Sequence, residues 1–100
     1  MVPTSKALLN MAVMAAIEHP VSMRGIKLRE AVPSLGFEGT RDIYAVVDPL
    51  LKRALELARK SSFVGAELTA GKAFEMLGAE YPDLERSVME RLMKYMYRAC

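Results

Sequence analysis

Residues Arg24–Val47 read RGIKLREAVPSLGFEGTRDIYAVV, and how this stretch divides decides the fold. A basic amphipathic segment comes first. Pro33 disfavours helical geometry at Val32, so that segment ends there. Leu35-Gly36-Phe37-Glu38-Gly39 follows as a glycine-bounded loop. Thr40 to Val47 is short and apolar, and Val46 and Val47 lower its helix propensity. The only other strand-like piece is Phe63-Val64, and two such fragments make no stable sheet. DIYAVV therefore reads as a short helix. Asp48-Pro49 then reads as a restart, with Asp48 as N-cap and Pro49 at the first helical position.

Working outward, Thr4 or Ser5 caps a first helix that runs to about Glu18 and is ended by Pro20. That helix is apolar nearly all round, which places it at the centre of a bundle. Ser22 caps the second helix, which runs through about Val32. Beyond Pro49, Leu50, Leu51, Ala54, Leu55 and Ala58 form an apolar stripe at helical spacing that ends near Ser61. Gly65 opens a helix from about Ala66 to Ala79. Tyr81-Pro82-Asp83 punctuates, and a last helix spans about Asp83 to Arg98. The expected architecture is all-α, a compact bundle of five or six short helices in a single domain over residues 1–100.

Hydrophobic residues make up 52% of the chain. A domain of this length has little interior, so part of that content reaches the surface, where a contiguous patch marks a partner. Fourteen Lys and Arg against twelve Asp and Glu give a net charge of +2, far from the basic profile of a non-specific DNA binder. The distribution is uneven. Arg24, Lys27, Arg29 and Arg41 crowd the first half, and Glu67, Glu75, Glu80, Asp83 and Glu85 a later stretch. The one cysteine, Cys100, allows no internal disulfide, which fits a reducing, cytoplasmic setting. No apolar run approaches the roughly 18–20 residues that cross a bilayer. Lys6 followed by the apolar run Ala7–Ile17 looks superficially like a secretory leader. Asn10 interrupts the run and the basic region is one Lys, so a retained, buried helix is expected.

Chemistry-bearing motifs are sparse. GAELTAGKA (Gly65–Ala73) approaches the phosphate loop G-x-x-x-x-G-K-[ST]. It separates its glycines by five residues instead of four, and Ala73 replaces the magnesium-binding hydroxyl. Zinc needs three or four converging ligands, and the chain has one His, His19, and one Cys. His19 suits the end of the first helix, and Asp83 and Glu85 suit the start of the last. No cofactor, metal or catalytic residue is assigned, and an enzyme is not the expected reading.

Over about twenty residues, LREAVPSLGFEGTRDIYAVV resembles a helix-turn-helix, with Gly36 at the turn. The resemblance implies a DNA-binding regulator in which Arg41 contacts a base and Tyr44 a phosphate. Pro33, Gly39 and Asp42 depart from the pattern. Glu38, Asp42 and Asp48 would repel phosphates.

The last helix, DLERSVMERLMKYMYRAC, has Leu84, Val88, Leu92, Tyr95 and Ala99 on one face and Arg91, Lys94 and Arg98 on another. Met89, Met93 and Tyr97 lie beside these faces, which is more apolar girth than one buried stripe requires. Met side chains fill irregular cores and also adaptable binding surfaces, and there are eight. In size and lack of motifs the chain resembles small orphan helical proteins that phages and mobile elements encode to block a host complex. The resemblance implies an inhibitor or regulator, for example of a CRISPR surveillance complex, and carries over no residue. The expected function is a non-catalytic interaction protein with a protein or nucleoprotein partner and no membrane. Arg24, Lys27 and Arg29 on the second helix and Arg91, Lys94 and Arg98 on the last are the expected partner-binding residues. The alternatives are direct DNA binding and a homodimer that consumes the patch.

Overall fold

A computed structural model describes residues 4–100. It is all-α. Among the described residues the elements are α1 (Ser5–Glu18), α2 (Val21–Ala31), a 3-10 turn (Pro33–Leu35), α3 (Gly36–Ser61), α4 (Ala70–Glu80) and α5 (Arg86–Ala99).

Local chemistry explains most boundaries. Thr4 caps α1, its hydroxyl accepting the Ala7 N–H at 3.1 Å. His19, extended before Pro20, closes α1 by donating its N–H to the Ala15 carbonyl at 2.9 Å. Ser22 is not the cap of α2. The helix begins at Val21, and the Pro20 carbonyl accepts the Met23 and Arg24 N–H groups at 2.9 and 3.0 Å. Val32 leaves the helical region ahead of Pro33, as a pre-proline residue does. α4 starts at Ala70, four residues after the expected Ala66, because Thr69 caps it through the Lys72 N–H at 3.1 Å. α5 starts at Arg86, later than the expected Asp83.

The larger correction concerns the opening stretch. Gly36–Gly39 is no loop, and Asp48-Pro49 is no restart. Both lie inside α3, a helix of 26 residues with Pro49 in its interior. Gly36, at φ +67°, takes the left-handed turn that feeds the helix. Downstream, Tyr44, Val47, Leu50, Ala54, Leu57 and Ala58 are buried in sequence at helical spacing. That stripe runs through Pro49, and its burial outweighs the roughly 3 kcal/mol that an interior proline costs.

α3 is also the spine. It packs against α1, α2, α4 and α5, whereas α1 packs only against α2, α3 and α5. The expectation of a central α1 is corrected accordingly. Only Leu9, Asn10, Ala12 and Val13 of α1 are buried. α2 and α4 lie towards opposite ends of the spine, tied by Arg24–Asp48 and Arg53–Glu80 respectively. α1 and α5 run parallel, with Asn10 beside Glu85 and Glu18 beside Arg91.

Candidate functional site

The six expected partner-binding cations meet different fates. Arg24 turns inward. Its guanidinium pairs with Asp48 at 2.8 Å, lies 4.1 Å from the centroid of the Tyr44 ring, and is 14% exposed. Tyr44 is buried, and its hydroxyl donates to the Ala12 carbonyl at 3.1 Å. Burial raises the Tyr44 pKa, against the opposing pull of the Arg24 charge. Both side chains, one expected to bind a partner and the other to contact a phosphate, are engaged within the fold. Arg29 lies over the Phe37 ring at 4.3 Å, and Phe37 is 79% exposed. Lys27 pairs with Glu30 at 3.4 Å. The α2 triplet is therefore dispersed and does not form one patch.

The α5 triplet holds together. Arg91, Lys94 and Arg98 line one hollow of about 350 Å³ with Ile17, Glu18 and Tyr95. Arg91 reaches Glu18 at 3.8 Å. Lys94 and Arg98 have no carboxylate within ion-pair distance among the described residues. Their other flank borders a second hollow walled by Phe74, Met93 and Tyr97. The two cations thus stand on a ridge between a largely charged hollow and a mainly apolar one. Tyr95, expected on the buried face with Ala99, is 44% exposed, and Met96 takes the core position beside it.

A groove of about 440 Å³ begins at the same Glu18. Its floor is α1, through Met11, Met14 and Ala15. One wall is α2, through Lys27, Leu28 and Ala31, and Val88 of α5 stands on the other side. Met89, Met93 and Met96 are core residues, while Met11 and Met14 are half-buried at this groove.

Asn10, the break in the apolar run of α1, ties α1 to the start of α5. It is buried. Its Nδ2 donates to the Lys6 and Asp83 carbonyls at 2.8 and 2.9 Å, and its Oδ1 accepts the Glu85 N–H at 2.8 Å. An apolar helix with one buried amide was the available signal, because a buried polar group demands partners.

Elsewhere, the near-miss phosphate loop forms a turn and a helix start, with Thr69 as cap and Lys72 paired to Glu75 at 3.7 Å. Among the described residues no three His, Cys, Asp or Glu side chains converge as a metal site, and no helix is long and apolar enough to cross a membrane. Comparison with known protein families, curated proteins and solved structures returns no match.

Proposed function

We propose that the protein is a non-catalytic interaction protein that binds, and by covering a surface inhibits or regulates, a larger protein or nucleoprotein complex. The observation that carries this reading is the α5 ridge, with Lys94 and Arg98 unpaired beside exposed Tyr95. Arg and Tyr recur as anchors of protein interfaces, and unpaired cations at a rim steer an anionic partner and speed its association. The mild net charge and the carboxylate of Glu18 within the patch favour a protein surface over bare duplex.

The test is affinity capture from the native host, with and without nuclease, using the wild type and a Lys94→Glu/Arg98→Glu variant. A partner that survives nuclease and is lost with the variant supports the reading. Recovery that depends on nucleic acid, or is indifferent to the charge reversal, overturns it.

A further inference from the structure

We infer that the groove over α1 seats one short amphipathic helix of the partner, its first turn rich in carboxylates. The inference rests on the proposed function, in that the partner is a protein held at the α5 ridge.

The argument begins with helix packing. α2 and α5 each pack on α1 but not on each other. The face of α1 between them is left uncovered by any further helix. Met11 and Met14 are half-buried there, opposite Leu28 and Val88. From Ala7 to Glu18 the floor runs about 16 Å, the length of roughly three helical turns. A helix laid there meets an apolar floor and the apolar side chains of Leu28, Ala31 and Val88, and methionine side chains can adapt to its shape.

Charge then fixes orientation. The groove has a carboxylate at each end, Glu85 and Glu18, and Lys27 on its α2 wall. Beyond Glu18, which Arg91 reaches at 3.8 Å, stand the unpaired Lys94 and Arg98, so the Glu18 end carries the excess of positive charge. Carboxylates on the incoming helix belong at the Glu18 end. Acidic residues favour the first turn of a helix, where the partial charge of the dipole is positive. The occupant therefore runs antiparallel to α1, its N-terminal turn on the ridge and its apolar stripe on Met11 and Met14. A nucleic-acid backbone would make no use of the apolar floor.

The probe is a random peptide library displayed against the intact chain, followed by synthesis of the selected peptides. The expected consensus has apolar residues at i, i+3 or i+4, and i+7, preceded within a turn by Asp or Glu. Such a peptide shifts the Met11 and Met14 methyl resonances and leaves Met76 unmoved. Exchanging its carboxylates for amides weakens binding about tenfold to the wild type and far less to the Lys94→Glu/Arg98→Glu variant. Met14→Gln weakens binding, and Ala15→Gln repeats the test should Met14→Gln melt early. Failure to select any peptide, a consensus lacking either feature, or shifts confined to other methyls overturns the inference. Met11 and Met14 shifts that track protein concentration also overturn it, because a second copy then fills the groove. If the captured host partner needs Lys94 and Arg98 but ignores Met14→Gln and Ala15→Gln, the groove inference fails and the proposed function stands.

Discussion

α2 and α5 each carry a triplet of cations singled out in sequence, Arg24, Lys27 and Arg29 in one and Arg91, Lys94 and Arg98 in the other, and the fold treats them oppositely. In α2, Arg24 faces the spine, where Asp48 and the Tyr44 ring hold it, and Arg29 rests on Phe37. In α5 the apolar face is wide enough to occupy the core side alone, so Arg91, Lys94 and Arg98 stay outside together. A cation's role is set by what the facing helix offers it. An arginine opposite a carboxylate and an aromatic ring becomes a structural tie, and one opposite solvent remains free to bind.

The contrast can be broken experimentally, and the largest effect is expected at its foundation. Asn10→Ala removes the amide that holds the start of α5 and strands the Glu85 N–H. A loss of about 2–3 kcal/mol is expected, lowering the melting temperature by about 10 °C or more. A melt close to wild type would show that α5 is held by packing alone. Arg24→Ala comes next, at about 1–2 kcal/mol, because it loses a charge-assisted bond and a ring contact that are largely shielded from solvent. Denaturant midpoints that are equal for Arg24→Ala and Lys94→Ala would erase the distinction between the two helices.

A third kind of cation sharpens the comparison. Arg53 is paired at the surface and half-buried, donating to Glu80 at 2.8 and 2.9 Å and to Glu56 at 2.9 Å. The hydrogen bond from Arg53 holds the Glu80 carboxyl below the usual carboxylate range, and that from Lys60 does the same for Glu56. A depressed carboxylate contributes stability above its unfolded pKa and loses it as the pH falls through the folded value. Arg53→Gln is therefore expected to lower the melting temperature slightly at neutral pH. The difference should close below the usual carboxylate value of 4.5. A gap that persists at low pH would assign the effect to packing of the Arg53 stem. The smallest change in stability belongs to Lys94→Ala and Arg98→Ala, each within about 0.5 kcal/mol of wild type. A larger loss in either would mean that the ridge is structural.

What was legible in the sequence is what neighbours in sequence decide. Thr4 capping its own helix and Val32 yielding to Pro33 are local events, and both were readable. The length of α3 was not, because the rule that proline starts helices is local while the stripe that carries the helix through Pro49 is tertiary. Its extension upstream through Tyr44 and Val47 was the missed clue. The Asn10 amide reaches residues 73 and 75 positions away, which no spacing rule anticipates. Tyr95 and Met96 compete for one edge of the α5 stripe, and the phenol stays with water. That the α5 cations share a face is legible because helical spacing alone groups them, whereas the Arg24–Asp48 tie is not, since Asp48 lies on another helix.

Pro49 has one further effect. With no N–H to offer the Ala45 carbonyl, it removes a rung from the hydrogen-bond ladder of α3. Upstream of it, Tyr44 and Asp48 tie the helix to α1 and α2. Downstream, Arg53 and Ser61 tie it to α4 and α5. The helix is thus tied to different neighbours on the two sides of the missing rung. Amide exchange is expected to report the two sides separately, with protection on each side of the proline following its own neighbours, so that loosening one end of the molecule leaves the other closed.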